Sequence, residues 1–489
     1  MPGVVISTAV RTGPSATTVR ESSQLFVVGL AERGPDAAAV MVESIADFEA
    51  TFGGYQSYSY LHPTVETFFE EGGTQCYVAR TVGAAATEGT LALLGTGAQS
   101  ASTVLTLDAN GAGAWSADVE VTVTHPSVDT FKVSLSYNGD VIYTTGTVTT
   151  VAQAAGRINL SSVASRYVTA TANAAATTRP ATVAGSALSA GADDRASVTQ
   201  SDYADSLDLF LDSYGSGAVA CPEAHTLAMS EDLVAHANAN NRIAILHVAE
   251  AATTADAETR ALDVQGGDHA EHAALYYPWI EVPTTTNGVT RYIPPDGYVA
   301  AKRAVAHNQT GSHVPPAGLL SAARFVSGVK TDINKTDGDA LDEAYVNVIR
   351  LIQNSVRVYG ARSLSSDEDN FRFITQQDTV NHVVVEAQRS LEDLVFSTID
   401  GRNTIFSAVE SRLIAILSPL RDIGALFEAY DVNGRKLDSG FTVRCDAKLN
   451  PTAQLAGGTV KAKVGLRVSG VGDKIEVDII KSNLTASVV

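Results

Sequence analysis

Short apolar runs alternate with helix-like stretches in the first half of the chain. Residues 24–29 are mainly apolar and end at a glycine, and residues 75–80 repeat this pattern, which is typical of buried strands. Two helices are predicted between them, the first of which begins after the N-cap residue Ser44. Residues 218–222 and 242–247 are two further predicted strands with a helix-like segment between them. Strands that alternate with helices in this way predict an α/β sheet with partly parallel strands.

A block rich in small and β-branched residues interrupts this α/β pattern. Alanine, threonine, valine and serine make up 64 of the 108 residues at 83–190. Residues 118–124 and 131–137 alternate strictly, and the Asn-Gly-Asp sequence at 138–140 supplies a hairpin turn. We expect an inserted all-β module, so that the α/β sheet is assembled from sequence on both sides of it. Residues 173–190 fit either a helix or a loose linker back to the sheet.

The C-terminal third shows longer helices followed by strands. Residues 379–386 precede a helix that is predicted to begin at Ala387. A longer helix with one apolar face is predicted over residues 401–417, and the proline that follows is expected to interrupt it. Residues 460–468 and 474–481 alternate and predict two further strands.

The strands at the two ends of the chain have no neighbouring sequence with which to pair. Their apolar residues are Val4, Val5, Ile6, Ile475, Val477 and Ile479. Backbone groups left open on one chain can be satisfied by the sheet edge of another chain. We therefore predict that both terminal strands pair between subunits.

Glycine-containing stretches connect both terminal strands to the rest of the chain. They lie at residues 12–15 and 469–472. Because glycine adopts backbone angles closed to other residues, we expect Gly13, Gly470 and Gly472 to act as arm hinges.

These patterns divide the chain into six segments. We predict an N-terminal arm at 1–20, the first part of a core α/β domain at 21–89, an inserted β domain at 90–194, the second part of the core at 195–370, a C-terminal α+β domain at 371–470 and a C-terminal arm at 471–489.

Composition and charge exclude several classes of protein. The chain has 489 residues, 45% of them hydrophobic and 18% charged, which is ordinary for globular domains and unlike a disordered chain. A net charge of −20 disfavours nucleic-acid binding, because phosphate contacts need clustered basic residues. No apolar run reaches the roughly 18 residues of a membrane helix, and no secretory signal is expected. The three cysteines are far apart, which argues against a disulfide framework and for a soluble protein made in a reducing compartment.

Motifs for catalysis or cofactor binding are largely missing. The sequence contains no Walker loop, GxGxxG fingerprint or GxSxG elbow, and we predict neither a cofactor nor a metal. Asp268, His269, Glu271 and His272 form one polar cluster, but it lacks HExxH spacing and an identifiable third ligand. A polar helix face is therefore favoured over a metal site. A Ser-His-Asp triad is defined by geometry rather than by order, so the sequence leaves it open.

Charge is distributed unevenly along the chain. Residues 193–271 contain fifteen acidic and three basic residues, whereas residues 435–481 contain nine basic and five acidic residues. These segments are either a solvated acidic face and an ordinary basic tail, or complementary surfaces of neighbouring copies.

Several motifs, taken in order, resemble one family. They are Pro2-Gly3-Val4-Val5, the Phe26–Pro35 strand and turn, Glu43–Phe48 with Phe52-Gly53-Gly54, Phe68-Phe69 with Gly72-Gly73, Cys76–Arg80, Tyr276–Ile280, Pro294–Ala301, Gly401–Phe406 and Gly424–Phe427. They are similar to the sheath protein of contractile phage tails and related contractile injection systems. The resemblance covers most of residues 1–80 and 270–489, and the block at 90–190 lies outside it. His307-Asn308 departs from the family, which more often has an aspartate before a glycine-containing loop.

The resemblance implies a structural role rather than catalysis. It implies a subtilisin-like α/β core with a variable outer domain, and subunits that stack as hexameric rings around an inner tube. Contraction of such a sheath drives the tube through a target envelope. The partners implied are further copies of the chain, the tail tube protein, and baseplate and tail terminator proteins, without nucleic acid or membrane insertion. The protein would then be a virion component assembled in the host cytoplasm.

Two alternatives stay open. The sheath could belong to a cell-encoded injection system rather than to a phage. In a different class, the chain could be an α/β hydrolase with a carbohydrate-binding insertion, although no subtilisin-type sequence surrounds a serine.

Overall fold

The computed structural model describes residues 21–284 and 289–473. The first elements are the two strands and two helices that the sequence predicts, together with the short strand β2, which it did not predict. They are β1 (Leu25–Gly29), β2 (Val40–Val42), α1 (Ile45–Phe52), α2 (Leu61–Glu70) and β3 (Cys76–Arg80). Ser44 caps α1 by accepting a hydrogen bond from the backbone N–H of Asp47 at 3.1 Å.

The inserted block forms two antiparallel sheets and one helix. Its elements are β4 (Thr90–Leu94), β5 (Thr103–Ala109), β6 (Val119–Ser127), β7 (Thr130–Tyr137), β8 (Asp140–Thr144), α3 (Val151–Asn159), β9 (Val168–Ala172) and β10 (Val183–Ala187). The strand orders are β4-β5-β9 and β10-β6-β7-β8. The expectation of an all-β module is wrong, because α3 buries Val151, Ala154, Ala155 and Ile158 against the sheets. Residues 173–190 contain the strand β10, which neither expected alternative allowed.

The next segment returns to alternating strands and helices. It contains α4 (Gln200–Leu207), β11 (Ala218–Ala220), α5 (Leu227–Ala239), β12 (Ile243–Leu246), α6 (Thr254–Gln265), β13 (Ala273–Tyr277), β14 (Ile280–Pro283), β15 (Thr290–Ile293), α7 (Asp296–Gln309), β16 (Gly328–Val329), α8 (Lys335–Glu343), β17 (Val346–Ile352), β18 (Ser355–Tyr359) and α9 (Glu368–Phe371). His307-Asn308 lie inside α7 and not in a loop, and His307 is completely buried.

The last described segment contains two long helices and two small sheets. Its elements are α10 (Ile374–Leu391), α11 (Thr404–Asp422), β19 (Ala429–Tyr430), β20 (Lys436–Asp438), β21 (Phe441–Arg444), α12 (Thr452–Ala456) and β22 (Lys463–Leu466). The helix expected from Ala387 begins thirteen residues earlier, at Ile374. Pro419 lies inside α11, three residues before the end of the helix, and does not interrupt it. Leu417 and Leu420, which flank the proline in the sequence, are buried and hold this part of the helix against the protein.

An eight-stranded sheet joins sequence from both sides of the inserted block. Its order is β18-β17-β13-β12-β11-β1-β3-β2, and β1 lies parallel to both β3 and β11. Helices α1, α2 and α7 cover one face, and α4, α5, α6 and α8 cover the other. Both faces of the central strands β1, β11, β12 and β13 are therefore buried, which explains why these strands are continuous apolar runs.

The inserted block has a hydrophobic core of its own. All of the buried residues of that core lie between Leu93 and Leu188. Thr87 and Ala192 pair at its base, with N–H to carbonyl distances of 2.7 and 2.9 Å in the two directions. The two ends of the insertion therefore leave the main sheet side by side.

Candidate assembly interface

The predicted site residues fall at the two ends of the chain. Gly470 and Gly472 are described, and a Cβ atom added at either would meet nothing within 4 Å. Val4, Val5, Ile6, Gly13, Ile475, Val477 and Ile479 lie outside the described residues.

The part of the chain that the structure describes has a small two-stranded sheet close to its C-terminal end. Strands β21 and β22 pair antiparallel, with Phe441 opposite Leu466 and Val443 opposite Val464. These four side chains point to one face, where they pack against buried residues of α10 and α11. A two-stranded sheet is only marginally stable alone. This packing on the helices holds it in place.

The outer edge of β22 is open in the described part of the chain. The Arg467 N–H donates to the Gly440 carbonyl at 2.8 Å, which makes these two residues a hydrogen-bonded pair. Because such pairs alternate along an antiparallel ladder, the backbone groups of Val464 and Leu466 point away from β21. The opposite edge is partly occupied, since the Cys445 N–H donates to Glu410 of α11 at 2.7 Å.

The chain makes contacts on both sides of the predicted C-terminal hinge. Ser469 donates its N–H to the Ala425 carbonyl at 2.9 Å and its hydroxyl to the Gly424 carbonyl at 2.7 Å. Asp473 accepts from the Arg372 guanidinium at 3.0 Å. The two predicted hinge glycines therefore lie between a fixed point on the C-terminal sheet and an exposed, weakly stabilising ion pair beside the start of α10.

A buried ionic network fixes the first half of α10 to the core. Asp378 of α10 accepts two hydrogen bonds from the Arg303 guanidinium, one from Nε and one from Nη2. The His307 Nε2 lies 3.5 Å from the Asp378 Oδ2. The His307 Nδ1 lies 3.1 Å from the hydroxyl of Ser22, close to the end of the predicted N-terminal arm. All four residues are buried. The network thus joins α7, α10 and the root of the arm.

Charge within this network shifts two pKa values. Burial, reinforced by the positive charge of Arg303, lowers the pKa of His307 to about 4. Burial alone would raise the pKa of Asp378, but Arg303 and His307 outweigh it and lower the pKa to about 2. Asp378 is therefore ionised and His307 neutral near neutral pH.

A second group of buried polar contacts continues along α10. Gln377 donates to the His272 Nε2 at 3.0 Å, and Asn381 donates to the Arg242 carbonyl at 3.2 Å. His272 in turn lies 3.0 Å from the same carbonyl through Nδ1. These side chains fix the position of α10 along the core, because each has a specific partner.

The cluster around His269 does not form the polar helix face that the sequence favoured. His269 has a left-handed backbone at the start of a 3₁₀ turn, and His272 is buried and already hydrogen-bonded. Among residues 21–284 and 289–473, no group of three or more His, Cys, Asp or Glu side chains could hold a metal ion. None of the helices in these ranges is long and apolar enough to cross a membrane.

One buried His–Asp pair resembles part of a catalytic triad. The His247 Nδ1 lies 3.0 Å from the Asp296 Oδ1, and both side chains are almost fully buried. The His247 Nε2, which would face a nucleophile in a triad, has no hydrogen-bond partner. Cys221, at the end of the neighbouring strand, is buried, which raises the pKa of its thiol and disfavours the thiolate. Among the residues that the structure describes, this pair therefore has no serine or cysteine in the position of a triad nucleophile.

Solved structures of sheath proteins share the fold of this chain. The sheath tail protein Lin1278 from Listeria innocua aligns with a TM-score of 0.59 and 15% identity, over 87% of this chain and 89% of that one. The sheath tail protein DSY3957 from Desulfitobacterium hafniense aligns with a TM-score of 0.53 and 16% identity, over 91% and 94%. The helical sheath of the anti-feeding prophage in its contracted state aligns with a TM-score of 0.56 and 16% identity, over 98% and 99%. The chain has the fold of contractile sheath proteins.

The structural likeness extends beyond the sequence motifs. The prophage sheath aligns over 98% of this chain, so the alignment runs through most of the block at 90–190 that the motifs left out. No protein-family model matches the chain, and no curated protein sequence matches it. The predicted mixed α/β, multidomain fold class is confirmed, and the subtilisin-like topology of its core stays a prediction.

Sequence reasoning missed the residues that join the C-terminal helices to the core. Arg303 and Asp378 are 75 positions apart, and each looks like an ordinary surface charge in the sequence. The sequence carried no clear signal for them, because the buried face of the first half of α10 is made mostly of threonine, asparagine, glutamine and aspartate and shows no apolar periodicity.

Proposed function

We propose that this protein is the structural subunit of a contractile sheath. It polymerises as stacked hexameric rings around an inner tube, and contraction drives the tube through a target cell envelope. The fold shared over almost the full length with the helical sheath of the anti-feeding prophage carries this proposal. The sheath belongs either to a phage virion assembled in the host cytoplasm or to a cell-encoded injection system. Its other partners are the tube, baseplate and terminator proteins.

Subunits join through their terminal arms in this proposal. The strands that contain Val4, Val5 and Ile6 and Ile475, Val477 and Ile479 add to sheets of neighbouring subunits. The open edge of β22 supports this, because its unpaired backbone groups can accept another strand. No catalytic site or cofactor is needed for this role.

Subunits move as rigid bodies during contraction, while the arm strands stay paired with the same neighbouring subunits. The buried network of Arg303, His307 and Asp378 supports a fixed relation between the core and α10, because a buried ion pair cannot be separated cheaply. The open space around Gly470 and Gly472 supports a hinge at the root of the C-terminal arm. The insertion lies on the outside of the sheath.

Deleting each arm tests this arrangement. Removal of residues 1–12, or of residues 473–489, leaves a folded monomer with a nearly unchanged melting temperature and abolishes ordered tubes. Thermal melts and electron microscopy of the two deletions and the full chain measure both effects. A large loss of monomer stability would show that the strands pair within their own subunit and would contradict the proposal.

A further inference from the structure

A fully exposed phenylalanine lies in the loop that connects α10 and α11. Phe396 is 103% exposed, and its neighbour Val395 is also exposed. The Phe396 backbone has φ 66°, a left-handed conformation that bulky residues rarely adopt. Such strain costs stability and is retained mainly at functional sites. The strain and the exposure both indicate that Val395 and Phe396, which together form a knob, bury their surface against a partner.

The knob projects from a packed base at the end of α10. Leu394 and Ile399, on either side of it, pack against the buried cluster that contains Ile405 and Phe406 of α11. The loop is therefore held in place before any partner binds. A partner that covers the knob has little conformational freedom left to remove.

An open pocket of about 280 Å³ lies beside the C-terminal half of α7. Its apolar lining includes Val305, Ala322 and Ala323 and two exposed leucines, Leu319 and Leu320. A cavity of about 150 Å³ is enough to hold benzene, so this α7 pocket can accommodate one phenylalanine ring.

Buried polar contacts hold the α7 pocket in its open shape. Glu71, just after α2, forms a buried ion pair with Lys302 of α7 at 2.6 Å. The same carboxylate accepts hydrogen bonds from the backbone N–H groups of Arg324, Phe325 and Val326 at 2.8 to 3.0 Å. These bonds fix the rim of the pocket to α2 and α7. The pocket is thus formed before an occupant arrives.

The knob and the α7 pocket lie on different parts of one subunit. Arg303 of α7 binds Asp378 near the start of α10, whereas the knob lies beyond Leu391, where α10 ends. The thirteen residues from Asp378 to Leu391 span about 20 Å of helix. Complementary features at two places on one surface produce head-to-tail contacts, which build open helical assemblies. A second copy is therefore the occupant that the geometry favours.

Charges beside the two features are complementary. Arg324 lines the pocket and Glu392 lies four residues before Phe396, and both side chains are exposed. Neither side chain forms an ion pair within residues 21–284 and 289–473. Opposite charges in these positions favour one orientation of the contact.

We propose that the knob of one subunit inserts into the α7 pocket of a second copy, with Glu392 facing Arg324. The proposal rests on the sheath function above and adds a side-chain contact to those of the arms. The aromatic ring fills the pocket, and the charge pair at the rim fixes the orientation of the two subunits.

Variants of the full chain test the energetic part of the proposal. Phe396→Ala raises the critical concentration for tube assembly about tenfold, because each added subunit loses the burial of one aromatic side chain. The monomer melting temperature stays unchanged, since the side chain is exposed in the monomer. Val432→Ala is the matched control, because Val432 is equally exposed in the loop between β19 and β20. Assembly of Phe396→Ala as readily as Val432→Ala would overturn the proposal.

A charge swap tests the orientation. Glu392→Lys and Arg324→Glu each raise the critical concentration, and combining them restores assembly, because the pair is then reversed rather than lost. A double variant that assembles worse than either single variant would contradict the facing of Glu392 and Arg324.

Disulfide trapping identifies the two surfaces. Val395→Cys and Leu319→Cys are introduced into separate chains, so a disulfide between them joins two subunits. Cys76, Cys221 and Cys445 are buried and stay reduced under mild oxidation. Mixed tubes should yield dimers that contain one chain of each variant, and Val432→Cys in place of Val395→Cys should not.

Two results of the trapping experiment would overturn the proposal. They are mixed tubes without dimers, and an equal yield of dimers from the Val432→Cys control. Either result leaves the sheath function standing if the wild-type chain forms tubes. Failure of the wild type to form tubes or rings refutes the sheath function and this inference with it.

Discussion

Excision of the inserted block tests whether it is dispensable for assembly. Thr87 and Ala192 already form a hydrogen-bonded antiparallel pair at its base. An Asn-Gly dipeptide in place of residues 88–191 can close this pair as a two-residue hairpin. The design therefore leaves the backbone of the main sheet where it is.

The expected cost follows from the contacts between the insertion and the core. Excision removes a 2.7 Å hydrogen bond from Arg80 to the Ala112 carbonyl and a 2.9 Å bond from the Ala112 N–H to Asp36. It also removes the partly exposed ion pair of Arg166 with Asp47 and the two contacts of the Tyr137 and Tyr167 rings with the Arg33 guanidinium. At about 1 kcal/mol for each of these five contacts, the loss is about 5 kcal/mol. The hydrophobic clusters on both faces of the main sheet contain no residue of the insertion, so they stay intact.

Thermal melts and electron microscopy measure the outcome. We expect a folded subunit with a lowered melting temperature and tubes with the axial repeat of the wild type. Arg166→Ala in the full chain sets the scale for a single contact and should cost less than about 1 kcal/mol. A folded excision variant that forms no tubes would refute the reasoning, because the insertion would then take part in assembly.

Three further predictions concern the hinge and the buried network. Joint substitution of Gly470 and Gly472 by valine leaves the monomer melting temperature unchanged but traps one sheath state or impairs assembly. The control Gly440→Val lowers the melting temperature, because Gly440 has φ 75° and an added side chain would meet the Phe427 carbonyl. Equal melting temperatures for the double variant and the control would contradict this prediction. Asp378→Asn costs about 3–5 kcal/mol in urea titrations, because Arg303 stays buried without a counter-charge, and a loss below 1 kcal/mol would refute the network. Because folding lowers the pKa of His307 from 6.5 to about 4, its contribution to stability is complete above pH 6.5 and is lost as the pH falls towards 4, with a loss of about 2 kcal/mol at pH 5. His307→Gln should remove this part of the pH dependence of the unfolding free energy, and an unchanged pH dependence in the variant would contradict the prediction.

Local patterns predicted the strands of the main sheet well. The runs at 24–29 and 75–80 became β1 and β3, because strands buried on both faces are apolar at nearly every position, and the buried Arg80 at the end of β3 is the exception. The insertion was predicted less well, although α3 carries a helical signal. Thr150 caps it, and Val151, Ala154, Ala155 and Ile158 have helical spacing, but the surrounding β-branched residues concealed it.

The C-terminal helices and the interface residues depend on distant contacts. The first half of α10 is buried by polar side chains that satisfy partners elsewhere in the chain, such as Gln377 with His272. A sequence pattern of apolar residues cannot reveal such a face. The pairing that places Arg444 opposite Lys463 was equally hidden, because it depends on the register between β21 and β22.

Electron microscopy of the purified full chain tests the central claim most directly. We predict striated tubes or stacked six-membered rings, since a sheath subunit carries its own assembly contacts in its arms and sheet edges. Isolated particles at all concentrations and salt conditions, with the chain folded by circular dichroism, would contradict the account.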